Sequence, residues 1–261
     1  MNRYERWSVL LEMLAELGKL EIEETAEKLG VSAATVRRDF DELAAQQLLS
    51  RTRGGATAHS VSYDLPLRFK VARHAPEKQR IASVAAGMVA VGSTVGINGG
   101  TTATEVARAL ATRADLAGEQ RGPAVTVVTN ALNIAQELVV RPYLHVVATG
   151  GVGSPKSYEL VGPVAAAMLE RVALDLAILG VDALDAEHGA SAHNEAEATV
   201  NQTLASRARH VVVVADSSKL GRRAFARICP ISEVTTLVTD GDAPEEMVAR
   251  FTELGVRVVR A

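Results

Sequence analysis

Apolar positions in the first 57 residues recur with a helical period. Residues 7, 10, 11, 14 and 17 make an i, i+3, i+4, i+7 stripe over Arg3–Leu17, and Gly18 follows as a stop. An extended piece at 19–22 leads to a second helix at 23–29, closed by Gly30, the residue type best suited to a left-handed C-terminal position. Ser32 stands where an N-cap belongs, and Val36, Phe40 and Leu43 give a third helix, running to about residue 46, one buried stripe. Residues 48–56, strand-like and breaking into Gly54-Gly55, predict a small β-hairpin. From 58 to 75 neither period is clear and Ser, Pro and scattered charge dominate, as in a connecting segment. Beyond it the pattern becomes cyclic. Short apolar runs at Thr94–Ile97, 124–128, 145–148, 174–179, 210–215 and 233–239 suit parallel strands buried on both faces. Helical stretches at 77–89, 102–111, 131–139, 163–171, 195–208 and 243–254 alternate with them, a βαβ succession. The expected organisation is therefore a helical head with a hairpin (1–57), a linker (58–75) and a larger α/β domain with a mainly parallel sheet (76–261).

Composition narrows the classes. The 261 residues are 48% hydrophobic and 23% charged, enough for two buried cores and incompatible with wholesale disorder. The longest apolar runs fall far short of the roughly 20 residues that cross a bilayer, so no membrane partner is expected. The lone Cys229 excludes an intramolecular disulfide and a multi-cysteine metal site, and the charged start of the chain lacks a signal-peptide core; both imply the reduced cytoplasm. Net charge is −3, so any nucleic-acid contact must come from a local patch.

The head supplies such a patch. Two helices joined by Gly30-Val31-Ser32, with a hairpin behind, have the layout of a winged helix-turn-helix. With Val36 inward and about 100° per residue, Ala34, Arg38 and Asp41 lie opposite the core while Thr35 and Arg37 flank it. Ser32 and the small Ala33 and Ala34 let the helix N-terminus approach base edges, and Arg37 and Arg38 reach guanines or phosphates. Arg51 and Arg53 of the hairpin add charge beside the duplex. The competing reading is a solvated head whose arginines pair with Asp39, Asp41 and Glu42, since residues 1–60 hold 8 basic against 10 acidic side chains.

The run LGVSAATVRRDFDELAAQQLLSRTRGGA (29–56) resembles the head of the DeoR family of bacterial transcription regulators. The match falls on Val31, Ser32, Thr35, Arg37-Arg38-Asp39, and Arg51 with Gly54-Gly55-Ala56; Arg53 stands where the family commonly carries His.

In the second domain, the strand Thr94–Ile97 runs into Asn98-Gly99-Gly100-Thr101-Thr102 and then a helix, leaving backbone N–H groups exposed where anions bind. The spacing is neither the dinucleotide nor the Walker pattern, so no NAD or ATP cofactor is expected; a small phosphate ester fits better. Polar loops follow other strands: Thr129-Asn130, Thr149-Gly150-Gly151, Gly180-Val181-Asp182 and Asp216-Ser217-Ser218-Lys219. All lie at strand C-terminal ends, the edge that carries ligands in open α/β sheets. Lys219 is the obvious cation for a phosphate, while Asp182, Glu195 and Asp216 are suited to sugar hydroxyls. His188 and His193 lack a second ligand pair, so no metal is expected. Residues 64–254 also resemble the DeoR effector domain, through PLRFKVARHAPEKQRIA, GGTT, VTN, TGG, LVGP, LGVDALDAEHGAS, NEAEA and ADSSK. That resemblance implies a fold similar to ribose-5-phosphate isomerase and a phosphorylated sugar or related metabolite as effector. Asn98-Gly99 departs from the Asp-Ser of many relatives.

The expected function is a repressor of carbohydrate genes that binds operator DNA and is released by a sugar phosphate. One head reads too few bases to select a genomic site, so a homo-oligomer is expected. The second reading is an aldose–ketose isomerase or related sugar-phosphate enzyme with a fused head, with Glu195 or Asp182 as base.

Overall fold

The computed structural model describes residues 2–46, 48–57, 67, 74–118 and 122–261. It falls into two compact units, Met1–Arg73 and His74–Ala261. Most of the predicted linker lies outside the described residues.

In the first unit, helix α1 (Arg3–Leu17) starts at Asn2, whose side chain accepts the Glu5 amide while Glu5 returns a bond to the Asn2 N–H, a reciprocal capping box. Gly18 closes it at φ 71°. Trp7, Leu10, Leu11 and Leu14 of the predicted stripe are buried, whereas Leu17 in the last turn is exposed. Helix α2 (Ile22–Leu29) ends on Gly30 at φ 63°, and α3 (Ala33–Ala45) is capped by Ser32 Oγ accepting the Thr35 N–H at 3.1 Å. Val36, Phe40 and Leu43 are fully buried against α1 residues in one core.

The wing holds three strands rather than two. β1 (Lys19–Glu21), β2 (Ser50–Arg51) and β3 (Gly55–Thr57) form an antiparallel sheet in the order β1-β3-β2. The piece between α1 and α2, read from sequence only as extended, is thus the strand that ties the wing to the helices. Gly55 is required there because a Cβ would collide with the Leu20 carbonyl.

The second unit is built on seven parallel strands: β4 (Thr94–Ile97), β5 (Val125–Thr129), β6 (Leu144–Ala148), β9 (Leu174–Gly180), β12 (Ala208–Val214), β14 (Thr236–Thr239) and β15 (Arg257–Arg260). Between them come β7 (Val152–Gly153), β8 (Leu160–Val161), β10 (Ala183–Asp185), β11 (Gly189–Ala192) and β13 (Ala226–Cys229). The large sheet runs β15-β14-β12-β9-β4-β5-β6, all pairs parallel. Helices cover both faces, and alternate strand residues feed two separate cores. Val211 and Val213 of β12 pack with Leu204 and Phe251, while Val212 and Val214 pack with Ile81 and Val106 on the other face. This two-sided burial explains the uniformly apolar strands. The chain proceeds outward from β4 through β5 to β6, then returns to lay β9 beside β4 and proceeds the other way. β4 and β9 therefore flank the topological switch point, where ligands bind in open α/β sheets. Two smaller sheets, β7-β8 and β10-β11-β13, are antiparallel insertions. No helix among the described residues is long and apolar enough to cross a membrane.

Candidate functional site: a groove-reading helix and a polar sheet edge

On α3 the predicted outward face is outward. Ser32, Ala34, Arg37 and Arg38 are exposed, and Ala33 and Thr35 are half-buried. Ser32 Oγ and Thr35 Oγ1 share a 2.8 Å hydrogen bond that fixes the helix start. The acidic side chains of α3 are taken by other partners. Asp39 is buried and accepts bonds from the Arg6 guanidinium and, at 2.8 Å, from the indole N–H of Trp7. Glu42 pairs with Arg3, and Asp41 with Arg51 at 2.8 Å. Arg37 reaches only the exposed Glu23, at 3.2 Å, and Arg38 makes no ion pair among the described residues. Asp39, Asp41 and Glu42 are thus taken by Arg6, Arg51 and Arg3, the pairing that the solvated-head reading expects of arginines in the head, while Arg37 and Arg38 keep their exposed positions on α3. In the wing, Arg51 is committed to the head itself: besides Asp41 it donates to the Gly55 carbonyl at 2.8 Å and lies over the Phe40 ring. Arg53 is exposed, with no ion pair among the described residues.

At the carboxyl edge of the large sheet, the loop after β4 crosses the switch point. Asn98 is buried and spans it: its Nδ2 donates to the Gly180 carbonyl at 2.9 Å and its Oδ1 accepts the Gly180 N–H at 2.8 Å. That side chain holds β4 to β9, a framework role where sequence placed it among the effector contacts. Gly100 follows at φ 112°, ψ 161°, a conformation closed to other residues, and an added Cβ would meet only open space. It opens the helix Thr101–Ala111, which no side chain caps. The first backbone N–H groups of that helix, which Thr101 and Thr102 begin, are thus left without a side-chain cap.

Thr129, the last residue of β5, and Asn130 after it are completely buried; Thr129 Oγ1 accepts the Ala131 N–H at 3.0 Å. Gly150 and Gly151 turn the chain from β6 into β7. Asp182, after β9, accepts the His193 N–H at 3.0 Å. Glu195 is exposed in the first turn of its helix, Glu195–Ser206, and it is Glu197 that turns toward neighbouring loops, accepting from the hydroxyls of Ser154 and Ser157. After β12, Asp216 is buried and caps the 3-10 turn Ser217–Lys219, accepting from Ser218; the Ser217 N–H donates to Asp240 at 2.7 Å. Burial opposes ionisation of Asp216, but the Ser218 bond and the charges of Lys219, His74 and Lys78 outweigh it and hold the carboxyl below its usual range. Lys78, itself buried, is a cation sequence reasoning passed over.

The larger omission is Glu159. The segment before β8 runs antiparallel to the β5 exit, bridging Ala131 to Glu159, with the Leu160 N–H on the Asn130 carbonyl. This carries Glu159 into the interior, where Oε2 accepts from Nδ2 of Asn130 at 3.0 Å and of Asn201 at 3.2 Å. Burial and the nearby Glu197 and Asp182 push its carboxyl up to about 8, against those two hydrogen bonds. A lone acid beside Leu160-Val161 carries no periodic signal, so only the tertiary fold exposes it.

Comparison with known proteins follows this division. Residues 6–61 match the DeoR-like helix-turn-helix domain and residues 73–241 the DeoR C terminal sensor domain. The chain belongs to the DeoR family of transcriptional regulators. It is 31% identical over 253 residues to the glycerol-3-phosphate regulon repressor of Escherichia coli, covering 97% of both chains. It is 34% identical over 256 residues to the transcriptional regulator GlpR of Haloferax volcanii, covering 98% of this chain and 96% of that one. Ribose 5-phosphate isomerase A of Methanocaldococcus jannaschii is similar over 56% of this chain and 55% of its own, at 20% identity and a TM-score of 0.41, a likeness of fold alone. This DeoR-family chain is a sequence-specific DNA-binding regulator of transcription. Its relatives are named as regulators and repressors, not as enzymes, which sets the isomerase reading aside.

Proposed function

We propose that the chain is a repressor of carbohydrate genes whose hold on operator DNA is released by a phosphorylated sugar or polyol bound at the carboxyl edge of its large sheet. The observation that carries this is the uncapped helix entrance at Gly99-Gly100-Thr101-Thr102, open beside the β4–β9 switch point. Backbone N–H groups converging at a helix N-terminus stabilise a phosphate dianion. Lys219 lies in the turn that follows β12, a strand two places from β4 in the sheet, roughly 10 Å at the usual strand spacing; a lysine stem shortens that gap, so both groups serve one phosphate. The sugar portion extends toward Asp182, Asn130 and the Gly150-Gly151 turn. In the head, Ser32, Ala33, Ala34 and Thr35 approach base edges, Arg38 and Arg37 contact bases or phosphates, and Arg53 serves the wing. The protein acts as a dimer or larger homo-oligomer, pairing heads on repeated half-sites. The names of relatives put glycerol 3-phosphate on the panel to be tried. A gel-shift assay with a bound operator, titrated with phosphorylated sugars and polyols, tests the proposal: one member should release DNA unchanged in its own chemistry. Turnover of that compound, or indifference of the complex to all of them, would refute it.

A further inference from the structure

Glu159 and Asn130 leave an incomplete hydrogen-bond pair beside the phosphate loop. Glu159 is 4% exposed, and its Oε2 is filled by two amide N–H groups while Oε1 makes no hydrogen bond among the described residues. Oε1 lies 2.6 Å from where a Cβ on Gly99 would sit, so the carboxyl rests directly against the loop backbone. Asn130 is completely buried, and its Oδ1 has no partner among the described residues. One buried group thus lacks an acceptor when protonated, and the other lacks a donor. A ligand hydroxyl is one small group that offers both, with one O–H and two lone pairs. A phosphate oxygen offers only lone pairs and brings negative charge toward Glu197 and Asp182, the titratable groups that face Glu159 from the helix Glu195–Ser206 and the loop after β9.

Resting on the effector reading above, we propose that Glu159 and Asn130 together read one hydroxyl of the effector, the carboxyl donating to it and Asn130 Oδ1 accepting from it. The site then selects a phosphorylated polyol or sugar over an alkyl phosphate or a phosphorylated acid. The elevated carboxyl titration, up to about 8, keeps Glu159 a neutral donor at pH 7 and makes it an anion beside a dianionic ligand above pH 8.

The test is calorimetry on the full chain at pH 7 and pH 9, both above the second phosphate ionisation near pH 6. The probes are glycerol 3-phosphate, ribose 5-phosphate, glucose 6-phosphate and, as the hydroxyl-free control, propyl phosphate. Wild-type protein should bind the best polyol phosphate about tenfold more weakly at pH 9, as expected for a proton lost near pH 8, and should bind propyl phosphate at least tenfold more weakly than that ligand at pH 7. Glu159→Gln, neutral and isosteric, should keep affinity within a few-fold at pH 7 and lose the pH dependence. A tenfold fall that persists in Glu159→Gln, or equal binding of propyl phosphate by wild type, would overturn the inference while leaving the effector reading intact. Failure of wild type to bind any of these esters at either pH would remove both.

Discussion

Operator binding by variants of Arg38 separates a groove reader from a solvated helix. Arg38 is exposed and unpaired among the described residues, whereas Arg37 holds Glu23 in an exposed pair worth less than about 1 kcal/mol. Both are therefore available to DNA. Arg38→Ala should weaken operator binding by about 1–3 kcal/mol if the contact is bidentate to a base, with the loss falling mainly on the cognate sequence. A phosphate contact would instead weaken all sequences alike and flatten the salt dependence. Gel-shift titration against operator and scrambled DNA separates these outcomes, and normal affinity in both Arg37→Ala and Arg38→Ala would remove α3 from the groove. Glu159 makes a second prediction, for stability. Its folded carboxyl titrates near 8 and an unfolded one at its ordinary value near 4.5, so between those pH values the unfolded chain sheds a proton that the folded chain keeps. Stability falls as pH rises through that window, by at most about 1.4 kcal/mol per pH unit from this group. Glu159→Gln should accordingly gain melting temperature relative to wild type, more at pH 8 than at pH 5. A constant difference between the two proteins across that range would contradict the buried neutral acid.

At the scale of elements, the Asp39 carboxylate joins α3 to α1. It is buried, and the Arg6 guanidinium and the Trp7 indole both depend on it. Asp39→Ala strands a partly buried cation and should destabilise the head by about 3–5 kcal/mol, read as an early loss of tryptophan fluorescence; Trp7 is the sole tryptophan. Unchanged Trp7 unfolding would show the pair to be dispensable. The helices of the head were legible because each carries its own stop or cap: Gly18, Gly30 and Ser32 sit within a residue of the observed ends. Six of the seven parallel strands were legible for another reason, two-sided burial written as unbroken apolar runs. β15 was not, because its ends are Arg257 and Arg260 and only its middle is apolar. The insertion β10-β11-β13 escaped as well. Its strands are short, Ala, Gly and Ser make up about half of them, and β13 joins only after an intervening helix and β12, so no local pattern announces their pairing. The candidate site was legible as a set of loops at one sheet edge, but not in its interior roles: Asn98 proves to be a clamp, and Glu159 enters by tertiary pairing alone. Gly100 offers the element-scale test of the phosphate loop. Gly100→Ala forces a side chain into φ 112°, a strain of about 1–3 kcal/mol, and should abolish effector binding while operator affinity without effector stays within twofold. Wild-type effector binding by the variant would show that the helix entrance is not the phosphate site.

For the whole molecule, the proposed release of DNA links two compact units, Met1–Arg73 and His74–Ala261. Release of DNA requires the effector to favour the DNA-free conformation, and a tenfold loss of operator affinity corresponds to about 1.4 kcal/mol of coupling, felt equally at both sites. Lys219→Ala removes a cation from the sheet edge and nothing from the head. It should bind operator like wild type and fail to respond to effector, a super-repressor in the cell. Light scattering should show at least a dimer, free and on DNA; a monomer in both states would contradict the pairing of heads. The most direct test of the whole account is fluorescence anisotropy of labelled operator bound by wild type and by Lys219→Ala, at one fixed salt concentration, as phosphorylated sugars and polyols are added. Wild-type protein should leave the operator at a saturating concentration of at least one compound, while Lys219→Ala stays bound at that same concentration. Release of both proteins at the same concentration, or of neither by any compound, would contradict it.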